Sequence, residues 1–297
     1  MKKTIFTGAG VAIVTPMHAD LSVNYEKLGE LLDFQLNGGT DAIVITGTTG
    51  EASTLSNEEH VELIRFTAAY IKGRIPVIAG VGSNDTAYAA WLSKEAEAAG
   101  ADALLHVTPY YNKTSQAGLI RHFFAVSDAS DLPVILYNVP SRTALNITPE
   151  TYLKLSEHPR IVATKEANGN ISEIARTASL CGDNLAIYSG NDDQIVPLMS
   201  LGAKGVISVL SNIMPRETHD ICRLFLDGKA GESMALQLKL LDLINALFID
   251  VNPIPVKAAL NLMGYETGEC RLPLVPMDGK GLEILKKAML RHGLIRQ

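Results

Sequence analysis

Short, nearly unbroken apolar runs punctuate the chain at regular intervals. They are Val11 to Val14, Ala42 to Thr46, Pro76 to Gly80, Ala103 to Val107, Pro133 to Tyr137, Ile161 to Lys165, Leu185 to Tyr188 and Gly205 to Val209. Each is rich in β-branched residues and lacks the polar alternation of a strand with one wet face. Strands buried on both faces read this way, and they belong to parallel sheets covered by helices. Between the runs lie stretches with helix start signals. Ser56-Asn57-Glu58-Glu59 has capping-box spacing and predicts a helix toward Tyr70. Ser83-Asn84-Asp85 opens an alanine-rich helix through Ala99, with Gly100 as its stop. Thr148-Pro149-Glu150 places proline at the first position of another. Strand and helix alternating in eight units predict a closed (β/α)8 barrel. An open doubly wound sheet is the alternative, because order in sequence does not reveal closure.

The alternation stops near Gly231. Met234 to Ile249 is a Leu-rich helical run, Pro253 and Pro255 break it, a helix leads to Gly264, and Leu282 to His292 makes another. The predicted division is therefore a barrel over residues 1–230 and a C-terminal helical appendage over 231–297. Leucine and methionine stripes at helical spacing pack the appendage on the barrel or on a neighbouring subunit.

Composition narrows the class. The 297 residues are 47% hydrophobic and 20% charged, with a net charge of −6 and no long basic run. Nucleic acid and anionic membrane surfaces are thus not expected partners. Met1-Lys2-Lys3 and the apolar residues after it loosely imitate a signal peptide, but Thr4 and Thr7 interrupt them and no small-residue cleavage site follows. No apolar run approaches the roughly 18 residues of a membrane helix. Cys181, Cys222 and Cys270 are far apart and odd in number, with neither zinc spacing nor a disulfide framework. A cytoplasmic protein is expected.

A barrel of this kind carries its chemistry at the carboxyl ends of its strands. The sixth run ends in Lys165, whose ammonium must either snorkel to water or be desolvated. Desolvation lowers its pKa from about 10.4 and yields a neutral amine able to attack a carbonyl. The second run is followed by Gly47-Thr48-Thr49-Gly50-Glu51, suited to holding a carboxylate, although Thr48 and Glu51 also have capping-box spacing. Thr108-Pro109-Tyr110-Tyr111-Asn112 follows the fourth, as surface, interface or site aromatics. The fifth ends in Tyr137-Asn138-Val139-Pro140-Ser141-Arg142, a phenol for proton transfer and a guanidinium for gripping a carboxylate. The seventh ends in Ser189-Gly190-Asn191-Asp192, and the eighth runs on to Ser211 and Asn212. Together these strand ends describe a carbonyl-and-carboxylate site. Gly8-x-Gly10 and Gly80-x-Gly82 lack the third glycine of a dinucleotide turn, and there is no Walker loop. His60, His106 and His122 make no metal-ligand spacing, and no nucleophile elbow is present.

These motifs, with Ile75 to Gly80, Gly205 to Val209 and Asn252-Pro253-Ile254-Pro255-Val256-Lys257, resemble the pyruvate-dependent class I aldolase superfamily over essentially the whole chain. Within it the chain is most similar to the dihydrodipicolinate synthase family. The sister N-acetylneuraminate lyases usually have serine at the place of Thr48 and no arginine at that of Arg142. The resemblance implies a lyase in which Lys165 forms a Schiff base with pyruvate and the enamine attacks L-aspartate 4-semialdehyde, in lysine and diaminopimelate biosynthesis. It implies that Tyr137 carries protons, relayed by Thr48 and by Tyr111 from a neighbouring subunit of a homotetramer. Thr49, Gly50 and adjacent backbone would hold the pyruvate carboxylate, and Arg142 that of the semialdehyde. The backbone of Gly190 and Ile207 would complete the pocket. No metal or organic cofactor is implied, since the lysine is the electron sink. His60, Asn84 and Tyr110 match a lysine effector site of regulated members, but Ala52, Asn57 and Tyr88 stand where serine, histidine and glutamate are typical. The alternatives are another pyruvate-dependent aldolase acting on a sugar acid, a metal-dependent barrel hydrolase, and a non-catalytic barrel.

Overall fold

Strands that bury both faces need a sheet covered on each side, and in this chain that sheet also closes on itself. The computed structural model describes residues 2–296. Its strands are β1 (Gly8–Ala12), β2 (Ala42–Ile45), β3 (Val77–Gly80), β4 (Ala103–Val107), β5 (Val134–Asn138), β6 (Ile161–Glu166), β7 (Ala186–Ser189) and β8 (Gly205–Ser208). Each pairs in parallel with its neighbour in sequence, and β1 closes on β8, so the sheet is a barrel and not the open alternative. Side chains alternate across the sheet. Val44, Leu105, Ile135, Tyr137 and Ile207 gather in one cluster, where Phe6 stacks on Tyr188 with centroids 4.3 Å apart. The intervening residues, such as Ile43, Leu104, Val134 and Leu136, join a second cluster with the surrounding helices. Burial on both faces is why the runs show no alternation.

The first strand differs from its expected span. It begins at Gly8, ahead of the apolar run starting at Val11. A Cβ on Gly8 would lie 2.1 Å from Asp41 Oδ2 and one on Gly10 2.9 Å from the Phe6 ring, so the start of β1 demands glycine where a strand would otherwise show a bulky residue. Ile13 still donates its N–H to the Val44 carbonyl at 3.1 Å, and beyond it the ladder gives way, with Val14 donating its N–H to the side chain of Asn212 at 3.1 Å.

The helices around the barrel are α1 (Tyr25–Gly38), α2 (Asn57–Ile71), α3 (Thr86–Ala98), α4 (Gln116–Asp128), α5 (Pro140–Thr143), α6 (Pro149–Leu155), α7 (Ile171–Cys181), α8 (Ile195–Ser200) and α9 (Pro215–Leu226). Ser56 and Glu59 make the reciprocal capping box, Asp85 caps α3, and Thr148 caps α6 with Pro149 at its first position. After α9 come α10 (Ala230–Lys239), α11 (Leu241–Ala246), α12 (Ile254–Leu262) and α13 (Gly279–Arg291). The single run expected over Met234 to Ile249 is two helices. Leu240 takes φ −91°, ψ −1°, and its N–H is shared between the carbonyls of Leu236 and Gln237, both at 3.2 Å. This break lets α10 pack on α9 while α11 packs on α13. Among the described residues no helix is long and apolar enough to cross a membrane.

Two charged contacts fasten the C-terminal segment to the loop after β2 and to α2. The Lys257 ammonium donates to Glu51 at 2.9 Å and to the Glu269 carbonyl at 2.7 Å, and the paired side chains are 2% and 1% exposed. The other Glu51 oxygen accepts the Arg271 N–H at 2.8 Å. The Arg271 guanidinium in turn forks onto both oxygens of Glu59, at 2.5 and 2.6 Å. Glu51, at φ +58°, therefore caps no helix with its side chain, and the capping-box alternative for Thr48 and Glu51 falls away. A lone charge left in such a place costs about 3–5 kcal/mol. Lys257→Met is expected to lower the urea midpoint accordingly, and Glu51→Leu combined with Lys257→Met should recover much of the loss.

Candidate active site

Lys165 pairs in register with Tyr137 on the neighbouring strand, and the two side chains therefore share a face. Tyr137 belongs to the interior cluster, so the ammonium of Lys165 is delivered inside the barrel near its carboxyl end. It is only 6% exposed, and its Nζ lies 4.4 Å from the centre of the Tyr137 ring. Burial pushes its pKa down to about 8; the Asp192 carboxylate opposes the fall and the Arg142 guanidinium adds to it. Burial raises the Tyr137 phenol above its ordinary value, opposed by Arg142 and by a hydrogen bond with the Thr48 hydroxyl, while Glu166 adds to the rise. The amine is thus easier to neutralise near neutral pH, while the phenol keeps its proton there.

A cavity of about 180 Å³ lies over these groups, lined by Lys165, Tyr137, Thr48, Thr49, Arg142 and Gly190 among others. Gly190 is glycine for a spatial reason: a Cβ there would meet the Lys165 Cε at 3.2 Å and the Ala167 Cβ at 2.8 Å. Gly50 holds the threonine turn, its N–H bonding the Gly47 carbonyl at 3.1 Å and its own carbonyl accepting from Thr15 at 2.7 Å. Arg142 is carried by α5, which starts with Pro140 and ends at Ala144 in the left-handed region. It is exposed, and its Nη2 donates to the Asn252 carbonyl at 3.2 Å.

The other expected residues lie elsewhere. Ile207 sits within β8 among the interior apolar residues, and Val209, two residues on, lines the cavity. Tyr111 is 92% exposed at φ +68° and is not part of the cavity wall of its own chain. A larger cavity of about 510 Å³ shares Thr48, Tyr137 and Arg142 with the first and extends to Ala52, His60, Tyr88 and Tyr110. Asn84 is not in that wall; its carbonyl accepts from the Asn112 side chain at 3.0 Å.

Two buried carboxylates gain roles that the sequence did not assign. Glu166 points to the face opposite Lys165. There it accepts from Tyr152 at 2.7 Å, from Asn138 at 3.0 Å and from the Asn168 N–H at 2.9 Å. Burial pushes its pKa up to about 7, with those hydrogen bonds opposing. It anchors the end of β6 from behind. Asp192 uses one oxygen to accept the N–H groups of Val209 and Leu210, at 3.0 and 2.9 Å, while the other is buried without a protein partner. Adjacent opposite charges ending an apolar run were the available signal for Glu166. Asp192 showed only as one polar residue among several at a strand end.

A closed (β/α)8 barrel whose cavity centres on a buried lysine, with a phenol, two threonines and a guanidinium around it, has the makings of a carbonyl-handling enzyme. The chain belongs to the Dihydrodipicolinate synthetase family, whose model matches residues 5–291. It is 61% identical over 292 residues to the 4-hydroxy-tetrahydrodipicolinate synthase of Lachnoclostridium phytofermentans, covering 98% of this chain and 99% of that one. It is 59% identical over 290 residues to the enzyme of that name from Caldicellulosiruptor saccharolyticus, covering 98% of both. Among solved structures, the chloride-inhibited dihydrodipicolinate synthase of Acinetobacter baumannii complexed with pyruvate superposes with a TM-score of 0.96 at 43% identity. That match covers 98% of this chain and all (100%) of the other.

The charge facing Lys165 can be tested directly. Asp192→Asn removes the negative neighbour that supports the ammonium, so the lysine should lose its proton at lower pH. The acid limb of the pH profile of kcat/KM should move down; an unmoved limb would exclude electrostatic contact between the two groups.

Proposed function

We propose that the chain condenses pyruvate with L-aspartate 4-semialdehyde, the activity for which its curated relatives are named. The observation that carries this is the buried Lys165 ammonium 4.4 Å from the Tyr137 ring centre, in a cavity that also holds Thr48, Thr49 and Arg142. Lys165 as the free amine adds to the pyruvate ketone, and loss of water leaves an iminium. The iminium withdraws electrons from the adjacent methyl group, which loses a proton to give an enamine. The enamine carbon attacks the aldehyde of the second substrate. The amine of that substrate then attacks the imine carbon, closes the ring and releases the lysine. An unshifted lysine is neutral at only about one part in a thousand near pH 7.4, and a pKa of about 8 removes most of that handicap.

Tyr137 passes protons in imine formation and ring closure, with Thr48 and a Tyr111 from a second copy of the chain completing the relay. The exposure of Tyr111, at 92%, supports its donation across an interface. Thr49, Gly50 and neighbouring backbone take the pyruvate carboxylate, Arg142 takes the carboxylate of the semialdehyde, and Gly190 and Ile207 supply backbone to the pocket. We infer a cytoplasmic homotetramer, a dimer of dimers, with a barrel over 1–230 and helices over 231–297. Three free cysteines are consistent with a reducing compartment.

Turnover with a panel of aldehydes tests the substrate assignment. Pyruvate with L-aspartate 4-semialdehyde should be preferred, and pyruvate with N-acetylmannosamine should not react. Arg142→Ala should raise KM for the semialdehyde about 10- to 100-fold with little change for pyruvate. The reverse preference would replace this reading by a sugar-acid aldolase.

The 510 Å³ cavity also supports a reading about regulation. No aspartate or glutamate lines it. The Tyr88 hydroxyl donates to Asn57 at 2.8 Å, and burial holds His60 below its ordinary pKa, against the Gly80 carbonyl at 2.8 Å. An amino-acid effector would find no carboxylate for its ammonium there. L-Lysine should inhibit weakly or not at all, and half-inhibition at submillimolar L-lysine would contradict this.

A further inference from the structure

Asn252 lies outside the barrel, in the turn leading to α12, yet it touches both groups assigned to substrate carboxylates. Its side-chain Nδ2 donates to the Thr49 hydroxyl oxygen at 2.9 Å, and its backbone carbonyl accepts from Arg142 Nη2 at 3.2 Å. The residue is 5% exposed and lines the 180 Å³ cavity. We propose that Asn252 is a positioning residue, fixing the Thr49 hydroxyl as a donor into the cavity and holding the Arg142 guanidinium at its mouth. The proposal rests on the reading that Thr49 and Arg142 hold the two carboxylates.

Donor and acceptor inventory sets the direction of the Thr49 hydroxyl. A threonine hydroxyl has one proton and can accept elsewhere. Because its oxygen already accepts from Asn252, its proton is free for an incoming anion, which accepts only. Thr49 is itself 3% exposed, so few other partners compete for that proton. An aspartate at 252 would invert the arrangement. Its oxygens only accept, so the Thr49 proton would turn away from the cavity, and a negative charge would sit beside the carboxylate subsite. The contact to Arg142 comes from the backbone carbonyl and survives any change of side chain. It occupies one edge of the guanidinium and leaves the other N–H groups free for a second anion. The turn bearing Asn252 leads into α12, whose Lys257 is locked to Glu51, two residues after Thr49. The C-terminal helices therefore fix Asn252 and the threonine turn relative to each other.

The test is steady-state kinetics on Asn252→Ala, Asn252→Asp, Thr49→Val and the double variant Thr49→Val/Asn252→Ala, with thermal melting as a check of folding. Asn252→Ala should raise KM for pyruvate several-fold and Asn252→Asp by about 10- to 100-fold, with kcat at saturation and KM for the semialdehyde much less changed. In the Thr49→Val background, Asn252→Ala should add almost nothing, since the group it orients is gone. The isosteric aspartate keeps the measurement informative if the alanine variant folds poorly. A wild-type pyruvate KM in Asn252→Asp, a loss confined to kcat, or full additivity in the double variant would each overturn the proposal. Wild-type protein that fails to turn over pyruvate with the semialdehyde would overturn the functional reading, and this proposal with it; wild type that turns over while Asn252→Asp keeps its pyruvate KM overturns this proposal alone.

Discussion

Everything at the centre of this molecule depends on keeping one ammonium out of water at the end of a strand. Lys165 costs free energy in its charged form because the barrel desolvates it, and that cost makes the neutral amine accessible. The surroundings distribute the penalty. Tyr137 offers its ring face, Gly190 lets the chain approach the lysine stem, and Asp192 supplies a charge of opposite sign. Glu166 solves the complementary problem on the other face. Its hydrogen bonds to Tyr152, Asn138 and Asn168 hold the end of β6, so Lys165 projects from a fixed base.

The same demand explains why the barrel does not stand alone. Its site is open at the carboxyl ends of the strands, and the loops there need support from outside the sheet. Glu51 and Lys257 form a buried pair between the threonine turn and α12, and Arg271 grips the carboxylate that also caps α2. Buried ion pairs contribute little net stability when replaced as a unit, and this one joins the threonine turn to α12 in a single arrangement. Here that arrangement brings Asn252 against Thr49 and Arg142. The appended helices thus act on the site through geometry.

Much of this was legible in the sequence, and the gaps have physical causes. Seven of the eight strands lay where unbroken apolar runs predicted, because burial on both faces leaves a strong signal. The first began early, since glycine at the β1–β8 seam carries no apolar signature. Lys165, Tyr137, Thr48, Thr49, Arg142 and Gly190 do meet at one cavity, as strand-end positions in a barrel predict. What the sequence hid were contacts across long separations. Nothing in the spacing of Glu51 and Lys257, or of Thr49 and Asn252, says that they touch. Glu51 even carried a competing local reading as a cap. Tyr111 belongs to another category, since it is 92% exposed and stands apart from the cavity wall of its own chain.

The central claim is that burial turns Lys165 into a nucleophile near neutral pH. It is tested most directly by the pH dependence of pyruvate-dependent borohydride trapping, with the adduct located by peptide mass. The account predicts one adduct, on Lys165, whose rate of formation rises with pH through a midpoint near 8. Trapping elsewhere, no trapping, or a midpoint near the ordinary lysine value of about 10.4 would contradict it.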